Sequence, residues 1–166
     1  MNQSPFIDKH SLRDAFLGNL LERLVELIVH QGNAMLAATG VSFPSRAVST
    51  ILLIAERTMI SAADIAKELG QPHQLVTQRI ELLLKLGIIQ RKEDPNDRRR
   101  KVLLLSKKGH AEFKLLQQSL SEANNALAEL QQDIGTDLTS AAHAAISALK
   151  QRPILDRISA PNSPTT

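Results

Sequence analysis

Apolar side chains recur at three- and four-residue steps through Phe16, Leu20, Leu24, Leu27 and Ile28, with Glu22, Arg23 and Glu26 between them. That spacing predicts an amphipathic helix over 10–38. Gly40 ends it, and Ser42-Phe43-Pro44 opens the next element, since proline is acceptable in a first helical turn. Val48, Ile51, Leu52 and Ile54 then make a short apolar helix ending near Arg57. Ser61-Ala62-Ala63-Asp64 has the spacing of a capping box, in which serine and aspartate satisfy each other's backbone amides. The helix it starts, with Ile65, Ala66 and Leu69 inward, stops at Gly70, and another runs from Pro72 to Leu86 before Gly87. Two short helices joined by a tight glycine-containing turn predict a helix-turn-helix, a pattern that many helical pairs share.

The period then changes. Ile88-Ile89 and Val102 to Leu105 are short apolar runs suited to strands, separated by the turn-forming Asp94-Pro95-Asn96-Asp97. They predict a β-hairpin whose tip carries the consecutive cations Arg98, Arg99, Arg100 and Lys101. Ser106 is a good N-cap for a long helix striped by Leu115, Leu116, Leu120, Leu127, Leu130 and Ile134. Gly135 breaks that helix, and residues 136–151 form a last one, rich in alanine, with Leu138, Ile146 and Leu149. The first nine residues read as unstructured and 153–166 as a mostly disordered Pro/Ser/Thr tail.

The helix over 72–86 has two distinct faces. Stepping about 100° per residue from Val76 puts Ile80 and Leu83 on its side and Gln74, Thr77, Gln78, Glu81 and Lys85 opposite. Glutamine pairs bidentately with adenine in the major groove, and threonine offers a hydroxyl or a methyl to base edges. An ordinary solvated face has the same composition. His73, at the helix entry, is placed to reach phosphate or to cap. Arg79 lies nearer the buried side, which assigns it to a phosphate or a structural ion pair.

Charge favours the nucleic-acid reading. Between Ser61 and His110, eleven cations face six anions, an excess of five, whereas the whole chain carries +3 and everything else −2. One third of the chain thus holds all the excess positive charge, the footprint of a module that gains by releasing counterions from phosphates. Taken alone, the hairpin's cations are equally a solvated charge run. The apolar fraction of 43% supports a core built from Leu, Ile, Val and Ala, because the only aromatic residues are four Phe. There is no cysteine, which excludes disulfides, thiolate metal ligands and thiol redox sensing. No apolar run reaches the roughly 20 residues of a membrane span, and the polar start MNQSPFIDKH lacks a signal-peptide core, so a cytoplasmic protein is expected. No two of His10, His30, His73, His110 and His143 share metal-ligand spacing on one helix, and no phosphate-binding glycine loop or nucleophile elbow occurs. The expectation is no enzyme, no metal and no cofactor.

In order, the elements are helix, helix, helix-turn-helix, hairpin, long helix and terminal helix. Asp97-Arg98-Arg99, followed after five residues by Leu105-Ser106-Lys107-Lys108-Gly109, resembles the wing pattern of the MarR family of bacterial transcriptional regulators, Asp-x-Arg, a short strand, then Leu-Thr-x-x-Gly. Ser106 stands for the usual threonine and keeps the capping hydroxyl. Leu69-Gly70 and Gly87-Ile88-Ile89-Gln90-Arg91 also fall where that family places its turn and the strand after its recognition helix.

The resemblance implies a mainly α fold with a small β-hairpin wing. A winged helix-turn-helix would span 44–109, flanked by an N-terminal dimerisation and core helix over 10–43 and C-terminal dimerisation helices over 110–152. It implies a homodimer on the pseudo-palindromic operator of a double-stranded DNA, acting as a repressor released by a small-molecule effector. Arg99 would be the wing residue that enters the minor groove, with Asp97 orienting it by a salt bridge. Arg98, Arg100 and Lys101 would be phosphate contacts at most. His73, Gln74, Thr77 and Gln78 would supply the recognition helix. With Met35 and Phe43 among its lining, an effector pocket would favour an apolar or amphipathic ligand. The alternative is a winged-helix interaction module whose basic wing meets an acidic protein.

Overall fold

In a computed structural model, residues 5–57, 59–95, 97 and 99–158 are described. Seven α-helices and one antiparallel hairpin make up the described chain: α1 (Leu17–Ala38), α2 (Val48–Glu56), α3 (Ala62–Glu68), α4 (His73–Lys85), β1 (Ile89–Glu93), β2 (Lys101–Leu105), α5 (Lys107–Asp133), α6 (Leu138–Gln151) and α7 (Ile154–Ile158). The fold is therefore mainly α with a small β-hairpin. The chain divides into two compact units, one up to Ser121 and one from Glu122.

In the first unit, one core is formed by the inward faces of every element. Leu36 and Phe43, Ile51 and Ile54 of α2, Ile65 of α3, Val76, Ile80 and Leu83 of α4, Ile88, Leu103, Leu105 and Leu116 are all buried. Fully burying a side chain of this size contributes about 1.5–3 kcal/mol. The inward side assigned to residues 76, 80 and 83 by helical spacing is the side that packs. Helices α3 and α4 each end on a glycine with positive φ, Gly70 at +59° and Gly87 at +70°. There the amides that follow turn back to free carbonyls, Gln71 to Ala66 and Ile88 to Leu83. The Ser61–Asp64 capping box is present, with each side chain bonded to the other's amide.

Polar contacts within this unit tie α5 to what precedes it. The buried Glu112 carboxylate accepts from the Ser42 amide at 2.7 Å and from the Ser42 hydroxyl, with Lys108 Nζ at 3.6 Å. Two turns further on, the Ser119 hydroxyl lies 3.0 Å from that of Thr39.

The ends depart from the sequence reading. Residues 6–9, read as unstructured, form a 3-10 turn, Phe6–Lys9, and a second, Arg13–Phe16, replaces the predicted first turns of the long helix. His10 lies between the rings of Phe6 and Phe16, with centroids 5.5 and 5.7 Å away, and its Nδ1 accepts from the Leu12 amide. This side-chain packing draws the segment into tight turns, and regular α-helix begins only at Leu17.

In the second unit, Asp137 caps α6 by accepting from the Ser140 amide at 2.9 Å, so the helix starts two residues later than spacing predicted. The tail read as disordered from residue 153 begins with α7; Arg157 donates to the carbonyls of Ala148 and Arg152, both at 3.0 Å, satisfying the end of α6. Residues 159–166 lie outside the described residues.

Candidate nucleic-acid interface

The pair α3–α4 presents α4 with its buried side against the core and the opposite side outward. His73, Gln74 and Gln78 are exposed, and Thr77 is half-buried. The Thr77 hydroxyl lies 3.3 Å from Nδ1 of His73, one turn earlier, so His73 meets its own helix at the entry. Behind them, β1 and β2 pair in the register Ile89↔Leu105 through Glu93↔Lys101. Ile60, just before the α3 cap, adds a third short rung by accepting from the Leu103 amide at 2.9 Å. A helix-turn-helix backed by such a hairpin is a winged helix.

The base of the wing is held by the start of α5. The Ser106 hydroxyl donates to the Gly87 carbonyl at 2.5 Å and accepts from the Gly109 amide at 3.0 Å. Lys108 Nζ donates to the Leu86 carbonyl at 2.9 Å, so two side chains of this turn reach the C-terminal end of α4. The tip is closed by backbone bonds from Asp97 to Asp94 and from Arg100 to Asp97, and by one from Asp94 to Arg100.

Residues 39–100 match the model of the MarR family. The fold of the chain agrees with that of solved MarR regulators. The chain is similar to the transcriptional repressor CouR bound to a 23-mer DNA duplex, at 22% identity and TM-score 0.61 over 81% of this chain and 92% of that one. It is similar to CouR from Rhodococcus jostii RHA1 bound to p-coumaroyl-CoA, at 20% identity and TM-score 0.58 over 88% and 94%. The transcriptional regulator BldR from Sulfolobus solfataricus is similar at 16% identity and TM-score 0.60 over 86% and 99%. No curated protein sequence matches.

The described cations of the wing, Arg99, Arg100 and Lys101, are not equivalent. Arg100 pairs with Asp64 of α3 and lies 3.7 Å from the buried carboxylate of Asp94. Lys101 Nζ is 2.7 Å from Glu93, its partner across the hairpin. Both are exposed side chains held in ion pairs with carboxylates of the same chain. Arg99 is exposed and makes no ion pair among the described residues. Arg98 and Asn96 lie outside the described residues. Asp97 does not pair with the Arg99 guanidinium; its Oδ1 accepts from the Arg99 amide at 3.0 Å. The aspartate orients the backbone, because a carboxylate two residues upstream meets an amide in a tight turn before it meets a long side chain.

One further expectation is corrected. Phe43, read as pocket lining, is 2% exposed inside the core, and Met35 is half-buried against that core. An apolar loop residue between two helices that share a core is drawn into it. Arg79 makes no ion pair among the described residues and instead donates to the Gln71 side chain. Burial, and then the nearby charge of Arg46, lowers the pKa of its guanidinium. Arg79 and Arg46 line a cleft of about 280 Å³ between α1 and α4, with Val29, Leu75 and Leu82 as apolar wall. Leu75 and Leu82, seven residues apart on one face of α4, are exposed in this structure, and that spacing is the signal in the sequence that could have found this cleft.

Proposed function

We propose that this protein is a homodimeric, sequence-specific DNA-binding transcriptional regulator that represses from a pseudo-palindromic operator and is released by a small amphipathic anion. One observation carries the DNA reading: a MarR-family winged helix whose outward α4 face is Gln74, Thr77 and Gln78, beside a wing in which Arg99 is left to solvent. Glutamine and threonine suit base edges in the major groove, and an exposed arginine suits a narrow minor groove.

Exposed apolar residues support the dimer. Leu17, Leu20, Leu21, Val25, Leu27 and Ile28 line α1, and Ile146 and Leu149 line α6. Stripes this apolar are covered by a partner in a stable protein. A twofold dimer then predicts half-sites about one helical turn apart.

The cleft of Arg46 and Arg79 supports the effector. Arg79, which pairs with no carboxylate among the described residues, and the apolar wall suit a carboxylate or phosphate joined to a hydrophobic group, beside Arg46, which pairs with Glu26. It sits on α4, so an occupant has direct leverage on the helix that faces DNA.

Selecting bound fragments from the source genome tests the reading. Enrichment of one palindromic sequence, with an affinity that falls steeply as salt rises, is the expected result. Absence of any duplex enrichment, with binding to acidic proteins instead, would replace it by the interaction-module alternative.

A further inference from the structure

The register of the wing places Arg100 beside the first turn of α3. Leu103 bridges to Ile60 in antiparallel sense. Ile60 stands immediately before the Ser61 cap of α3, so this one bridge brings the start of β2, with Arg100 just before it, close to the turn that contains Asp64. There its guanidinium meets the carboxylate that caps α3, and it also lies 3.7 Å from Asp94 at the end of β1. The Asp94 side chain is 8% exposed, so the wing carries a nearly buried carboxylate where its turn begins. Asp64 is itself fixed, because its carboxylate accepts from the Ser61 hydroxyl at 2.6 Å and from the Ser61 amide at 3.2 Å. One cation thus joins a rigid helix cap to the turn of the hairpin.

We propose that Arg100 is a positioning residue, a brace that holds the wing against α3 and so presents Arg99 to DNA without touching DNA itself. The proposal rests on the DNA-binding reading above for its consequence, although not for the brace. A planar guanidinium satisfies two carboxylates at once, which an ammonium point charge does less well. The competing possibility is that Arg100 leaves Asp64 for a phosphate when a duplex arrives.

The two make opposite predictions about salt. A residue that neutralises one phosphate carries a share of the salt dependence, so its loss lowers the slope of log K against log salt by about 0.9. A brace carries none. With a duplex recovered by selection on the unmodified chain, Arg100→Gln and Asp64→Asn are each expected to weaken binding about two- to five-fold, as loss of one exposed ion pair implies. The slope should stay unchanged in both, the double variant should be no weaker than either single one, and Arg100→Lys should recover part of the loss. Asparagine keeps the capping hydrogen bonds of Asp64, so that variant keeps its fold. It also removes a negative charge near the DNA side. If Asp64 acted only through that charge, Asp64→Asn would tighten binding.

A measurement without DNA separates the brace from the regulator reading. In the free full-length chain, amide hydrogen exchange at Asp94, Leu103 and Arg100 should quicken in Arg100→Gln and in Asp64→Asn. Faster exchange with no duplex binding by any form keeps the brace and discards the regulator. Unchanged exchange, a slope lowered by about 0.9 in Arg100→Gln, or tighter binding by Asp64→Asn overturns the brace.

Discussion

A methyl group added at Gly109 would lie 2.0 Å from the carbonyl oxygen of Ile88. The first turn of α5 therefore passes against the backbone that leaves α4, closer than any side chain allows. The same carbonyl accepts from the Ser106 amide at 2.9 Å. Glycine is required here by close approach, since Gly109 sits in a helix and needs no unusual φ.

Gly109→Ala is therefore expected to destabilise the protein by about 1–3 kcal/mol, the scale of overpacking. At an unobstructed helical position the same change would stabilise by about 1 kcal/mol. Urea midpoints decide by their sign alone.

Glu112 is buried and takes two bonds from Ser42. Glu112→Ala strands the Ser42 amide and should cost about 1–3 kcal/mol. Glu112→Gln, which retains one acceptor oxygen, should cost less. Equal losses in both variants would show that packing, not hydrogen bonding, matters at this site.

Arg99→Ala should weaken duplex binding by about 1–3 kcal/mol and reduce the salt slope by about 1, whereas Gln78→Ala should change the selected base sequence more than the affinity for mixed duplexes. Titrations at several salt concentrations, and a second selection with Gln78→Ala, measure these. An unaltered Arg99→Ala affinity would remove Arg99 from the interface.

The hydrogen bond from the Ser61 hydroxyl is the largest influence on the Asp64 carboxyl; burial opposes it, and the Ser61 amide and Arg100 add to the lowering, so the net effect holds it below its ordinary value of 3.8. A carboxyl whose pKa is lower in the folded state stabilises the protein fully above its unfolded pKa. That stabilisation is lost as pH falls below about 4 through the folded value. Asp64→Asn should therefore narrow the stability difference between neutral and acidic solution in urea titrations. An unchanged difference would mean that the cap contributes nothing through charge.

Leu21→Glu in α1 or Ile146→Glu in α6 should turn a dimer into a monomer in sedimentation equilibrium, because each places a charge on an exposed apolar stripe. A monomeric unmodified chain would remove the dimer from the proposal.

Local chemistry was legible without the fold. Ser61 and Asp64 are three residues apart, so their capping box depends on neighbours in sequence alone. Val76, Ile80 and Leu83 repeat with the helix, and Gly70 and Gly87 mark ends that need a positive φ. The wing's cations were legible as a group, but their roles were not. Arg100 finds Asp64 across 36 residues because the hairpin packs beside the start of α3, and no spacing rule spans that distance. Asp97 was placed correctly in the turn and given the wrong partner, because its choice between the amide and the guanidinium of Arg99 depends on turn geometry.

The sequence by itself determined the element order, the caps, the inward faces and the concentration of positive charge, because each rests on interactions within a helical turn or a tight turn. Only the tertiary structure decided which cations remain free, why Gly109 must be glycine, and that Phe43 belongs to the core while Arg46 and Arg79 share a cleft. Those outcomes depend on distances between segments far apart in the chain, which chain folding sets and residue type alone does not.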